Sequence, residues 1–275
     1  MAYEHLGRGA LDYYPCRYGR SKLLFRGPRR KLDKPYCAVI GGSETYGKFL
    51  ETPYPTMLEQ LIQMPVVNLG CQNAGNEVFA QDTSITDICS GAEVTIIQLM
   101  GAQNLSNRFY SVHPRRNDRF IRASGFLHTI FREVDFTEFH FNRHLLGSLN
   151  EISPEKFSLV RDELKEAWVA RMQLLMSRIE GRVVLLWLSA HTPDDTAKTN
   201  DLNSDPAFVD RDMINRVSEH ASDVVEVVAT QSEIDAGRDR MAFNALEEIM
   251  ASEMLGPIAH ETAAWRLQKI LPRVH

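Results

Sequence analysis

Ser43 is the first residue of this 275-residue chain whose setting suggests chemistry, in the stretch "AVIGGSETYGKF" over residues 38 to 49. Counted from Gly42, the stretch matches the first seven positions of a phosphate-cradling loop, G-x-x-x-x-G-K. That frame then needs a Ser or Thr hydroxyl for the metal that bridges the phosphates, and Phe49 stands there instead. Counted around Ser43, one hydroxyl sits where a buried strand turns into a helix, the mount of an activated nucleophile. The plain alternative is a serine that caps the helix. Further groups follow later apolar runs: Gly70 with the turn Cys71 to Gly75, which contains Asn73; Gly101 with the amides Gln103 and Asn104; and Ser189 with His191. His260 stands just before the last helix, and His191 is its rival as a base. A hydroxyl, turn N–H groups, amides and an imidazole are the nucleophile, oxyanion donors and base of acyl transfer. Each also has an ordinary structural reading, since glycine at a strand end serves backbone geometry and amides form turns.

The elements that must position these groups are five short apolar, β-branched runs at 36–42, 65–70, 93–101, 182–190 and 223–230. Near-continuous hydrophobicity suits strands covered on both faces of a parallel sheet. Helix candidates lie at 55–63, 77–90, 154–180, 207–221 and about 260–271. In the long one, Ser153 serves as N-cap and Pro154 begins the first turn, with Leu159, Leu164, Trp168, Met172, Leu175 and Ile179 at helical spacing. The alternation predicts an α/β fold: three α/β/α layers with a five-stranded parallel sheet, flavodoxin-like, and right-handed crossovers. In such sheets the side chains just beyond strand C-termini converge on one crevice. Two stretches interrupt the pattern. Residues 102–153 are an insertion carrying Arg108, Arg115, Arg116, Arg119 and Arg122, read as an arginine-rich lid, and 191–206 is an acidic loop. Residues 1–34 read as an arm packed on a single domain of 35–275, with a homo-oligomer contact through the arm as the alternative.

The blocks and their order resemble the SGNH (GDSL-type) hydrolases. "GGSETYG" resembles the first block, G-D-S-x-T-x-G, "VVNLGCQNAG" the second, "QLMGAQN" the third, G-x-N-D, and "GPIAHETAAWRLQKIL" the last, D-x-x-H with its closing helix. The resemblance spans roughly residues 36–271. It implies Ser43 as nucleophile, His260 as base, and an oxyanion hole from the N–H of Ser43, a turn N–H near Gly75 and an amide of Gln103 or Asn104. Gly70, Asn73, Arg108, Arg115, Arg116 and His191 would border the substrate. Every block departs from the pattern. Gly42 replaces the first Asp, strict alignment puts Asn73 on the second-block glycine and Gln103 on the catalytic Asn, and Pro257 replaces the Asp that orients the histidine. Glu44, Asp210 and Glu261 are the carboxylates left to take that last role. The whole chain is also similar to an uncharacterised bacterial family without assigned activity.

Acidic side chains outnumber basic ones 36 to 31, and the net charge of -5 removes the bulk attraction a nucleic-acid binder would show. No run approaches a membrane span or the apolar core of a signal peptide, so a cytoplasmic protein is expected. The four cysteines have no metal-ligand spacing and read as small buried apolar residues. His140 and His144 are four apart without a third ligand, and neither metal nor cofactor is expected. The expected function is hydrolysis or transfer of an ester-linked acyl group on a small molecule or carbohydrate, through Ser43. A non-catalytic relative that binds a carbohydrate or anionic ligand is the second reading, and nucleotide-dependent phosphoryl or sulfuryl transfer the third.

Overall fold

Alternate residues of an extended apolar run face opposite sides of a sheet, so a run that is apolar throughout needs cover on both. The computed structural model, which describes residues 11–271, supplies both covers. In chain order the elements are β1 (Cys37–Gly41), α1 (Ser43–Tyr46), α2 (Tyr54–Ile62), β2 (Val66–Gly70), α3 (Asn76–Ala80), α4 (Thr83–Ser90), β3 (Val94–Gln98), β4 (Tyr110–His113), β5 (Arg116–Ala123), α5 (Gly125–Ile130), α6 (Asn142–Ile152), α7 (Pro154–Ser177), β6 (Val183–Ser189), α8 (Thr196–Thr199), α9 (Arg211–Ser218), β7 (Asp223–Val228), α10 (Gln231–Gly237), α11 (Glu248–Ser252) and α12 (Gly256–Gln268). Five strands form one parallel sheet in the order β2-β1-β3-β6-β7. The register pairs Gly41 with Gly70 across β1 and β2, and Gln98 with Leu186 across β3 and β6. Because all five run parallel, their C-terminal ends lie on one edge, and Gly41, Gly70, Gln98 and Ser189 share it.

The period-two alternation sorts the core into two layers. Ala38, Ile40, Leu185 and Trp187 join one apolar cluster with Leu164, Trp168 and Met172 of α7. Cys37, Val39, Val184 and Leu186 join the other, with Leu58 of α2 and Ala263 and Leu267 of α12. Burial pushes the thiols of Cys37 and Cys89 up to about 12, so they behave as apolar core atoms. Ser153 caps α7 as expected, accepting from the N–H of Lys156.

Local departures have local causes. The expected 77–90 helix is two, because Asp82 leaves helical geometry to become the N-cap of α4 and accepts a hydrogen bond from Ser21 of the N-terminal segment at 2.6 Å. Leu159 fits the helical spacing of α7 yet lies on its solvent side, 54% exposed, while Phe157 and Val160 supply the contacts there. The last helix starts at Gly256, with Pro257 in its first turn, so His260 lies within the helix and not ahead of it. The insertion 102–153 folds into the antiparallel β4–β5 hairpin, α5 and α6. It is bonded to the body through buried Asn117, which accepts from the N–H groups of Gly75 and Val78, while buried Asn142 ties α6 to Asn104 and Asn117 within the insertion. The described part of the segment before β1, residues 11–36, packs closely as well, for Arg26 is 8% exposed and donates to the carbonyls of Gly47 and Glu51, while residues 1–10 of the expected arm lie outside the described residues.

Candidate active site

The turn that mounts Ser43 is organised from the neighbouring strand. β1 ends at Gly41, Gly42 is the N-cap of α1, and Ser43 opens the helix. Gln98, the last residue of β3, places its Oε1 between the N–H of Gly42 at 3.0 Å, the N–H of Thr45 at 3.2 Å and the hydroxyl of Thr45 at 2.6 Å. The Thr45 hydroxyl, having donated to Gln98, accepts from Tyr54 Oη at 2.7 Å. Burial holds the Tyr54 phenol well above its ordinary range, so it stays a donor. This close packing needs glycine at two strand ends. A Cβ on Gly41 would lie 2.1 Å from Thr45 Oγ1, and one on Gly70 2.3 Å from the backbone nitrogen of Tyr46.

Ser43 is half-buried and both partners of its hydroxyl belong to one residue. The N–H of Asn73 donates to Ser43 Oγ at 3.1 Å, and Ser43 Oγ donates to Asn73 Oδ1 at 3.3 Å. Asn73 has φ +54°, in the left-handed region that favours glycine and that Asn tolerates better than most residues. Asn73 thus adopts a backbone conformation that suits glycine. Gly75 does other work: its N–H donates to Asn117 Oδ1 at 3.3 Å, and a Cβ there would lie 1.8 Å from the carbonyl oxygen of Asn104. Neither candidate amide faces Ser43. Asn104 Nδ2 donates to the carbonyl of Asn73 at 3.1 Å and fixes that peptide, while Gln103 Nε2 donates to Asp205 Oδ1 at 3.3 Å.

His260 is fully buried, and the structure pairs it with Glu44 instead of Ser43. Its Nδ1 accepts from the N–H of Tyr54 at 3.1 Å, and its Nε2 lies 2.8 Å from Glu44 Oε2. A backbone N–H can only donate, so Nδ1 carries the lone pair and Nε2 carries the proton. The other oxygen of Glu44 accepts from the N–H of Leu255 at 3.0 Å. Glu44 is thus the one of the three candidate carboxylates that reaches the histidine, at Nε2. Asp210 caps α9 and pairs with Lys165, and Glu261 pairs with Arg240.

The remaining candidates divide. Arg108 is bound to Glu163 through its Nε at 2.7 Å, which holds its head away from Ser43's partners. Arg115 and Arg116 form the tip of the β4–β5 hairpin, beside Asn117. His191 is 7% exposed with Nδ1 3.0 Å from the carbonyl of Thr192, and its Nε2 has no partner among the described residues. Lys48 lies 4.8 Å over the ring of Phe49, itself 1% exposed, so the phosphate-loop frame ends in the core. His144 packs on Phe139, and no group of three metal-ligating side chains occurs among the described residues. Sequence reasoning missed Gln98, Asn117 and Asn142: Gln98 opens the third-block stretch but precedes its G-x-N-D positions, and Asn117 and Asn142 lie in elements with no motif.

The model of a family described as Domain of unknown function (DUF6473) matches residues 1–275, the full chain. The chain belongs to that family. No curated protein matches it. Among solved structures, this member of the family is similar to an acetyl xylan esterase (Est2A) from the rumen bacterium Butyrivibrio proteoclasticus, with 11% identity, TM-score 0.41, 90% of this chain and 65% of that one. It is similar to a family two carbohydrate esterase from Clostridium thermocellum in complex with cellohexaose, with 10% identity, TM-score 0.42, 90% of this chain and 66% of that one. It is also similar to LAE5, an alpha/beta hydrolase enzyme from the metagenome of Lake Arreo, Spain, with 15% identity, TM-score 0.39, 85% of this chain and 96% of that one. The chain spans less than two thirds of the first two proteins, and its chemistry has to come from its own side chains. No helix among the described residues is long and apolar enough to cross a membrane.

Proposed function

We propose that the crevice at Ser43 handles an ester-linked acyl group on a small molecule or carbohydrate, as a hydrolase or an acyltransferase. The observation that carries this reading is the bond from the Asn73 N–H to Ser43 Oγ at 3.1 Å, at the end of a parallel sheet where ligands bind. A fixed N–H beside a nucleophilic hydroxyl is also beside the oxygen that becomes negative when that hydroxyl attacks a carbonyl. Ser43 attacks the acyl carbon, the Asn73 N–H meets the developing oxyanion and His260 takes the proton; the ester C–O bond then breaks, the alcohol leaves with that proton, and water or an acceptor hydroxyl takes the acyl group from Ser43. For His260 to take the proton, Glu44 has to leave Nε2, and the ring proton has to move to Nδ1, which means giving up the Tyr54 amide. Losing one charged and one neutral hydrogen bond costs roughly 2–4 kcal/mol, so the competent state is a minor one until a ligand opens the pair.

A specific observation favours the second reading, a non-catalytic binding crevice: the ground state leaves Ser43 with an amide and no base. A fluorophosphonate probe on the purified, folded chain separates the two. Covalent labelling that is lost in Ser43→Ala supports acyl transfer. A chain that stays folded and never labels leaves the binding reading.

A further inference from the structure

We propose that the tip of the β4–β5 hairpin, residues His113 to Arg116, binds an anionic group carried by the molecule held at Ser43. The substrate is then an ester bearing a carboxylate, phosphate or sulfate; the link to an ester rests on the reading above, while the anion site does not.

The first observation is electrostatic. Acids outnumber bases in this chain, 36 to 31, and among the described residues eight arginines, Arg108, Arg182 and Arg211 among them, are ion-paired, while others such as Arg17 and Arg132 are not. Arg115, Arg116, Arg119 and Arg122 have no carboxylate oxygen within 4.0 Å among the described residues, although Asp118 lies between them in sequence. Guanidinium groups left without partners in an acidic chain keep their donors available for a planar or tetrahedral anion.

The second observation is that the tip presents donors only. His113 Nδ1 accepts the N–H groups of both Arg115 and Arg116, each at 3.2 Å. The ring proton is therefore on Nε2, which leaves a third side-chain donor beside the two guanidinium groups in the neutral imidazole as well as in the charged one. Arg119, whose guanidinium lies 3.9 Å from the Phe141 ring centroid, is held by stacking and is oriented without a counter-ion.

The third observation ties this set to the turn that bonds the nucleophile. Asn117 follows Arg116 directly and is 1% exposed. Its Oδ1 accepts from the N–H of Gly75 and, at 3.0 Å, from that of Val78, while its Nδ2 holds the carbonyl of His113 at 3.1 Å. Asn142 of α6 then bonds both the carbonyl of Asn117 at 2.5 Å and the side chain of Asn104 at 3.1 Å. The tip is pinned to the same turn that offers the Asn73 N–H to Ser43, two residues from Gly75. Buried Asn117 on β5 and buried Asn142 on α6 fix the tip in place.

The test is a titration of the full ¹⁵N-labelled chain with inorganic phosphate, sulfate and acetate in turn, followed by NMR. Saturable shifts centred on residues 113–117 are expected, with affinity falling on the order of tenfold or more in Arg115→Ala/Arg116→Ala and unchanged in Arg238→Ala, an arginine paired elsewhere. The three anions distinguish the acid class. Absence of saturation at the tip, or equal affinity in a folded double variant, overturns the proposal. The bound anion should also shift the Asn73 amide; binding at the tip that leaves Asn73 unmoved removes the link to the Ser43 crevice. If the tip binds anions and Ser43 resists the fluorophosphonate, the ester reading fails and the anion site stands. If Ser43 labels and the tip binds nothing, the reverse holds.

Discussion

Glu44→Ala is the substitution that most directly tests how His260 is used. In the structure Glu44 joins α1 to α12 with two bonds, one to His260 Nε2 at 2.8 Å and one to the N–H of Leu255 at 3.0 Å. Its side chain is 13% exposed and the histidine's is fully buried, so solvent screens the pair little. Removing the carboxylate loses a charge-assisted bond of about 1.5–3 kcal/mol and leaves the Leu255 N–H, also buried, without an acceptor at about 1–3 kcal/mol. Neighbouring losses are not additive, and a net cost of about 2–4 kcal/mol is expected. At roughly 2–4 °C per kcal/mol for a chain of this size, Tm should fall by roughly 5–15 °C. Activity should move the other way. One of the two bonds that keep His260 Nε2 from accepting a proton disappears, so, on the reading that His260 is the base, fluorophosphonate labelling of Ser43 should rise about tenfold to a hundredfold. Glu44→Gln keeps one acceptor for the two N–H groups and should fall between parent and Ala on both scales. The assay is labelling rate by mass spectrometry at a temperature well below Tm, beside a thermal melt. A folded Glu44→Ala chain that labels no faster than its parent removes His260 as the base, and a Tm unchanged within 2 °C, a threshold of about 1 kcal/mol, removes the latch itself.

Two further substitutions probe the turns on either side of Ser43. Gly75→Ala places a Cβ 1.8 Å from the Asn104 carbonyl oxygen, which only backbone movement relieves; a loss of roughly 3 kcal/mol or more is expected in urea unfolding, and a cost below about 1 kcal/mol would refute the close approach. Gln98→Met keeps the volume and removes the acceptor shared by Gly42 and Thr45, stranding two buried N–H groups at roughly 2–5 kcal/mol, whereas Gln98→Glu retains an acceptor and should restore most of it by the same measurement.

The sheet was legible because its signal is redundant. Five runs such as "RVVLLWLSA" are apolar at consecutive positions, and only a strand covered on both faces uses every one of them, as Val184 and Leu185 do in opposite core layers. The insertion was not legible in the same way. In β5 the inward residues are Asn117 and Phe120, three apart, because the register with β4 shifts twice; a bulged strand with a polar anchor shows no period of two. α6 buries Asn142 beside Leu145 and Leu149, and a buried Asn reads as a surface residue until its partners are known.

The site followed a different rule. The missing Asp at Gly42 suggested a turn without polar support, yet the support is present and comes from Gln98, one strand over. Parallel pairing brings the end of β3 level with the end of β1, so a side chain from either strand can reach the same N–H groups. A substitution within the block is thus compensated by a residue outside it, at no fixed spacing in sequence. The missing Asp at Pro257 was filled in the same way, by Glu44, but with the opposite chemical result. Glu44, one residue after Ser43, occupies Nε2. Tyr54 then takes Nδ1, and the tautomer is set against base catalysis in the resting state. The direction from which the carboxylate arrives therefore decides which nitrogen of His260 carries the proton.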